Sequence, residues 1–439
     1  MALIHHLSIN CMRHANVCLL CRTRSAPRGR HRMEKDEALR PISPLSSRFT
    51  LLLGFVAGLP ALSIDLSAPS LALLPVALNT TVFVAGLSLS LFILGFGVGQ
   101  FAGGRLSDQL GRRPILLTAL AVYTFAGLCC SLATTGGQLA TARLLQGAAA
   151  GACSVQSYAM VQDLFKGEAA RRKQAYVSVV LTLMPMIAPA VGALVILVAG
   201  WRELHLLMAL GGLILAFIVA LFVSESRDVP AESPQRGTGV KAGLAMLGET
   251  GFRQVAVVNA LSYGAIFTYI AGAPVVIINQ FGSTTAMYAA VFACTAAALT
   301  AGASVNARLA GQFSASALVG PALVAQTIAN VGLLGAAALL PASSPLLLLP
   351  LLIVGCFARG VLSPNFVHLA LSGQREQAGL AAALIGLTQL ATASAASALL
   401  ARVLGQFGAL SVGAIMAALS LAALGAWALA STGRISPQP

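Results

Sequence analysis

Charge is what this sequence has little of. Only 9% of its 439 residues are charged, and Asp and Glu together number 13. A soluble domain carries roughly 25% charged residues, so a soluble globular fold would be left without enough polar surface. Ten-residue segments of alternating polarity are missing, which excludes an outer-membrane barrel. There is no G-x-x-x-x-G-K-[S/T] loop, hence no built-in ATPase. No His, Cys and Asp set has metal-ligand spacing. The eight cysteines show no paired extracellular pattern. Cys129, Cys130, Cys153, Cys294 and Cys356 fall in or near apolar segments, where they read as small packing residues. Cys18-x-x-Cys21 has no second pair to complete a zinc or redox site. Nothing in the chain reads as an enzyme or calls for a cofactor or metal.

What the sequence does have is apolar length. Hydrophobic residues make up 57%, and runs of about 20 recur from Phe49 onward, each long enough to cross a bilayer. In lipid the backbone must bond internally, which leaves a helical bundle. The predicted spans are 49–71, 81–103, 113–134, 138–160, 174–199, 203–223, 254–279, 286–308, 316–340, 345–371, 378–400 and 407–430. The fold class is therefore all-α integral membrane, with about twelve transmembrane helices in two six-helix bundles, residues 49–223 and 254–430. A Pro- and Gly-containing polar linker, 224–253, joins them. A basic tail, 1–48, precedes them and a short tail, 431–439, follows.

The net charge of +14 would suit a nucleic-acid partner, but its distribution follows membrane topology. About 23 of the 27 Lys and Arg residues fall on one side of the predicted spans; only Arg202 and Arg402 fall on the other, with Arg143 and Arg359 inside helices. The positive-inside rule places that side, and both termini, in the cytoplasm. Residues 1–32 lack a signal-peptide h-region and read as an extended start ahead of Met33; a basic tail lying on anionic lipid is the alternative. A monomer in a bacterial inner membrane is sufficient.

The residues with chemistry are few. Asp65, in Leu62-Ser-Ile-Asp65-Leu-Ser67-Ala-Pro69, is the only carboxylate in the interior of any predicted span, Glu203 standing at the first residue of the sixth. Such an acid is costly when charged and tends to be functional; the bland alternative is a carboxylate near a helix end that reaches water. Arg143 needs a counter-ion or several carbonyls and is the natural partner of Asp65, unless it snorkels to the interface. Gln146 follows one turn later on the same face. Arg359, mid-way along the tenth span, could bind an anionic substrate group, pair with Asp65, or make a structural interhelical bond. Tyr158, Tyr263, Tyr269 and Asn365, with Asn259 and Gln389, are candidate contacts in a mostly apolar cavity, although each also fits ordinary helix packing. Gly95, Gly99 and Gly103, and Gly147 and Gly151, recur at the spacing that lets membrane helices approach closely.

Between the second and third spans runs Gly104-Arg-Leu106-Ser-Asp108-Gln-Leu-Gly111-Arg112-Arg113. Asp108 there could latch the cytoplasmic side in one conformation, or the turn could merely fix topology. This loop, Arg143-x-x-Gln146-Gly147-x-x-x-Gly151 and Pro185-x-x-x-Pro189-x-x-Gly192 resemble the signature elements of the major facilitator superfamily. Tyr269-Ile-Ala-Gly-Ala-Pro274, Asn306-Ala-Arg308 and Ser363-Pro364-Asn365 extend the likeness to its bicyclomycin/chloramphenicol-resistance (Bcr/CflA) group of drug:proton antiporters, over about residues 49–430. The resemblance implies proton coupling at Asp65 and Arg143, a cytoplasmic gate at Gly104, Asp108, Gly111, Arg112 and Arg113, and a packing or hinge role for Pro185, Pro189 and Gly192. It implies export of small hydrophobic or cationic drugs driven by protons. Ser67, Ala72, Gln109 and Gln162 depart from the group pattern. Transport of one metabolite such as a sugar or amino acid, or a non-transporting sensor, remain alternatives.

Overall fold

The computed structural model describes residues 42–226, 240–339, 345–372 and 377–432. The basic tail through residue 41 with Cys18, Cys21 and Met33, the middle of the linker at 227–239, Arg375 and the tail from 433 lie outside the described residues.

Twelve long helices form in chain order: α1 Ser47–Ser67, α2 Val82–Leu110, α3 Arg112–Ser131, α4 Gly136–Leu164, α5 Gly167–Val198, α6 Trp201–Phe222, α7 Thr250–Pro274, α8 Thr285–Leu309, α9 Ala315–Leu339, α10 Pro345–Ser372, α11 Ala378–Phe407 and α12 Ala409–Thr432. A 3₁₀ turn, Ala68–Ala72, continues α1, and a π turn, Val275–Gln280, continues α7. The short helix Val240–Gly248 precedes α7. No strand occurs among the described residues.

The helices begin where the sequence supplies a cap. The side chains of Ser46, Thr81, Thr135 and Thr284 each accept from the backbone N–H three residues on, which satisfies a donor the helix leaves open. Gly111, Gly200 and Gly408, at φ of 94°, 128° and 52°, break the chain between consecutive helices.

Eleven helices are long and apolar enough to span a membrane. The long helix outside that set is α4, which carries Arg143, Gln146 and Gln156. These three are 1%, 0% and 0% exposed, so its polarity faces protein and not lipid. A composition test reads α4 as less membrane-like for the reason that it packs at the centre of its bundle.

Glycines set the closest approaches. A Cβ on Gly95 or Gly99 of α2 would strike the carbonyl oxygens of Leu144 or Ala148 on α4, and one on Gly147 or Gly151 would strike Phe92 or Phe96 in return. In the second half Gly302 of α8 meets Phe357 of α10, and Gly360 meets Leu299. The pairs α2–α4, α1–α5 and α3–α6 recur as α8–α10, α7–α11 and α9–α12. An offset of six helices thus repeats the packing, as expected of transporters built from repeats. Contacts between the halves run through α2 with α11 and α5 with α8. Two hydrogen bonds cross there: Ser394 Oγ donates to Ser90 O at 2.8 Å, and Asn279 Nδ2 to Ala72 O at 3.0 Å.

Arg202 donates to Ala133 O, and the Arg402 guanidinium lies 5.9 Å from the Phe83 ring. Both therefore sit at the end of the bundle opposite Arg112 and Arg113.

Candidate functional site

Two buried arginines and one buried acid organise the interior. Among the described residues Asp65 is the one buried carboxylate, 4% exposed. It has neither hydrogen bond nor ion pair there. The sequence made Arg143 its natural partner, and the structure does not form that pair. Arg143, 1% exposed, donates through Nη1 to Gln146 Oε1 at 2.9 Å, and through Nη2 to Ser63 O at 3.2 Å and Ser67 Oγ at 3.0 Å. Its guanidinium lies 4.2 Å from the Phe92 ring centroid. It is held by carbonyl, amide and hydroxyl groups within its own half, so it does not snorkel to the interface. Ser63 Oγ is bonded in turn to Tyr123 Oη at 2.6 Å. The Gln146 Nε2 amide is buried with no partner.

The reason for the missed pair is the pitch of α1. Successive residues turn by about 100°, so Asp65 lies about 200° from both Ser63 and Ser67. Arg143 grips one face of α1, and Asp65 occupies the other. That other face meets the second half of the chain. Ala68, one turn beyond Asp65, is wholly buried in a cluster with Tyr269, Tyr288 and Phe292. Gly192 of α5 packs its backbone against Leu66 O, beside Asp65, which gives the Pro185, Pro189 and Gly192 pattern its location.

Arg359 lies in the second half and does not pair with Asp65 either. It is 2% exposed. Its Nη2 donates to Asn259 Oδ1 at 3.0 Å and its Nη1 to Ser262 Oγ at 3.3 Å. The Tyr263 ring centroid is 5.2 Å away. Asn259 Nδ2 reaches Gln389 Oε1 at 3.0 Å, and Ser262 Oγ reaches Gln326 Oε1 at 2.7 Å. Tyr263 and Gln389 are half-buried. These side chains come from α7, α9, α10 and α11.

The other expected cavity residues are spent on helix packing. Tyr269 Oη is bonded to Thr295 Oγ1 at 3.1 Å, and Asn365 Nδ2 donates to Asn306 Oδ1 at 2.6 Å. Tyr158, half-buried on α4, bonds Ser178 of α5.

At the basic end, Arg112 is clamped by two acids, with Nη2 to Asp108 Oδ1 and Nε to Asp163 Oδ2, each at 2.9 Å. Its Nη1 donates to Ser107 Oγ at 2.7 Å. The backbone N–H groups of Arg112 and Arg113 donate to the two Glu225 carboxylate oxygens at 3.0 and 3.1 Å. An acid thus sits on the N-terminus of α3, where the helix dipole favours it. Gly111 permits this: its φ is 94°, and a Cβ would come within 2.8 Å of Glu225 Oε2.

The family model described as Major Facilitator Superfamily matches residues 53–397. The chain belongs to that superfamily. An uncharacterized MFS-type transporter of Bacillus subtilis, YdgK, is 29% identical over 83% of this chain and 90% of its own length. A chloramphenicol resistance protein of Pseudomonas aeruginosa is also 29% identical, over 55% of this chain and 57% of its own. The crystal structure of a D-xylose-proton symporter superposes with a TM-score of 0.66 at 16% identity, covering 86% of this chain and 96% of the symporter. The protein is thus a multi-pass membrane protein of a transporter family and not an enzyme.

In this facilitator the motif residues gather at a helix end, apart from the central residues, which form one network around Arg143 in the first half and another around Arg359 in the second. Sequence reading missed Asp163 and Glu225 among the motif residues. An acid at or beyond a helix end carries no signal until its partners, 51 and 113 residues away, are known. It also left out Ser63, Ser67, Ser262 and Gln326, small polar residues that occur in membrane helices for many reasons.

Proposed function

We propose that this transporter exports small hydrophobic or cationic compounds in exchange for protons. Asp65 carries the reading. A carboxylate held charged in that position without a partner is expensive. It therefore either keeps its proton or moves to where water or a counter-charge meets it. A carrier that alternates between two faces of a membrane needs a group of this kind. Because Asp65 faces the second half across the boundary between bundles, rocking one half against the other changes its surroundings. Proton and substrate then bias one equilibrium in opposite directions. The gradient is the only energy source required, with no cofactor.

The relative named for chloramphenicol resistance supports a drug substrate and the Bcr/CflA assignment, and the excess of basic residues at one end supports a bacterial inner-membrane location with both termini in the cytoplasm. The Arg112, Asp108 and Asp163 clamp, with Gly104 and Gly111, is the cytoplasmic gate in this scheme. Pro185 and Pro189 let α5 flex beside Asp65. Tyr158, Gln146, Tyr269 and Asn365 shape the cavity walls through the helices they tie.

The test is efflux of ethidium and of chloramphenicol from vesicles reconstituted with purified protein under an imposed proton gradient. Asp65→Asn should abolish gradient-driven efflux while the protein still folds and inserts. Undiminished efflux in that variant overturns the proposal.

A further inference from the structure

The second half of the chain holds a cation with nothing to neutralise it. From Thr250 to Pro439 the sequence contains a single acid, Glu376, which follows the end of α10 by four residues. Thirteen helical residues, about 20 Å, separate Arg359 from that end. Among the described residues no carboxylate lies within bonding distance of Arg359. Its two hydrogen bonds go to neutral oxygens, and the remaining three of the five N–H donors of an arginine have no protein partner. Leaving a buried charge uncompensated is costly, and the expected remedy is a counter-charge. Among the described residues there is none.

The surroundings resemble a binding site more than a packing accident. Asn259 and Ser262 are fixed by Gln389 and Gln326, so the guanidinium is held in place. It lies between the rings of Tyr263 and Phe366, 5.2 and 6.0 Å from their centroids. Tyr263 and Gln389 are half-buried, so the network is less enclosed on their side than around Asn259 and Ser262. A planar fork of donors matches a carboxylate, and flanking aromatic faces suit a flat apolar body. One cation answers a monoanion; a phosphate dianion would call for a second.

We propose that Arg359 is a carboxylate-binding subsite, and that the substrates of this transporter include small aromatic organic acids and aromatic zwitterions. This rests on the transporter reading above and adds carboxylate-bearing compounds to its substrates. In a zwitterion the carboxylate meets Arg359 and the ammonium group faces Asp65.

Equilibrium dialysis of the full-length protein in lipid nanodiscs tests it, with 1-naphthoate and 1-naphthamide as matched probes that differ in charge but hardly in shape. The wild type should bind the acid at least tenfold more tightly than the amide. Arg359→Gln should erase that preference, bringing the ratio of the two affinities to about one. Arg359→Lys, which keeps the charge but loses the fork, should retain only part of the preference and covers the case in which the glutamine variant unfolds. Equal binding of the two probes by the wild type, no binding of either, or a full preference surviving in both variants overturns the proposal. Dialysis uses no gradient. Failure of the antiport reading would show as absent proton-driven flux with the acid preference intact, whereas failure of this proposal would show as a lost preference whatever the flux.

Discussion

Asp65 and Arg143 reach the same helix from opposite sides: Arg143 holds Ser63 and Ser67 of α1, and Asp65 turns about 200° away from both. The two charges most expected to form a pair are therefore independent in this structure. Arg143 braces α1 against α4, and Asp65 is left to respond to the other half. The arrangement separates the group that fixes α1 from the group that senses the opposite bundle.

That independence is measurable. In a double-mutant cycle of Asp65→Asn and Arg143→Gln, residues without a shared contact should have stability effects that add within about 0.5 kcal/mol. An ion pair would give a larger coupling. Arg143→Gln alone should lower the melting temperature, because it removes both links to α1 and leaves Gln146 Oε1 without its guanidinium donor. Thermal unfolding of the four purified proteins in detergent checks both expectations.

The Arg112 clamp should depend on its acids in order of burial. Asp163 is 22% exposed at the side chain and Asp108 is 55%. Solvent screening weakens the more exposed contact. Asp163→Asn should therefore destabilise more than Asp108→Asn. Glu225→Ala removes an acceptor from two backbone N–H groups at the start of α3 and should cost about 1 kcal/mol, the usual worth of a cap. Denaturation midpoints of the three variants, measured at low and high salt, give the ranking.

How far the sequence could be read follows from the range of each signal. Helices were legible because a bilayer demands about twenty apolar residues in a row, a local property. The stripe Gly95, Gly99 and Gly103 was legible because close approach leaves a four-residue period. Gly111 was named through the resemblance of its loop to a family signature, and the structure supplies the reason: at φ 94° the position favours Gly. The rotation of α1 was not legible. It decides whether Asp65 faces Arg143 or Tyr288, and it is set by packing against α4, α5 and the 3₁₀ turn at Ala68–Ala72. The Arg359 network was hidden likewise, since Asn259 and Gln389 are 130 residues apart. Tyr269 and Asn365, expected as cavity contacts from type and position alone, tie α7 and α10 to α8, and Tyr269 also lines apolar cavities beside Leu352 and Met416.

The site also depends on a close backbone approach. Gly192 abuts Leu66 O, next to Asp65, and any Cβ there forces α1 and α5 apart. Gly192→Ala should destabilise by about 1–3 kcal/mol, the usual range for overpacking, and should impair efflux as well. Gly211→Ala is the control. Nothing lies within 4 Å of a Cβ at that mid-helix position, so it should unfold no earlier than the wild type. Melting temperatures and vesicle efflux of the pair, measured side by side, separate a local clash from a general intolerance of added methyl groups.

Tyr288 offers the sharpest test of what Asp65 does between conformations. The Tyr288 side chain is 0% exposed, and its hydroxyl has no hydrogen-bond partner. An unsatisfied buried hydroxyl costs about 1–3 kcal/mol, so in this conformation Tyr288→Phe should be neutral or stabilising. The cost is tolerated if the hydroxyl finds an acceptor in another state, and Asp65 is the expected one. The shared cluster of Tyr288 with Ala68 places it against the same face of α1. A donated hydrogen bond would favour the carboxylate once its proton has left. Tyr288→Phe should then slow proton-driven efflux at least fivefold while the melting temperature holds or rises. A parallel loss of stability and flux would instead make Tyr288 a packing residue, and unchanged flux would exclude it from the proton step.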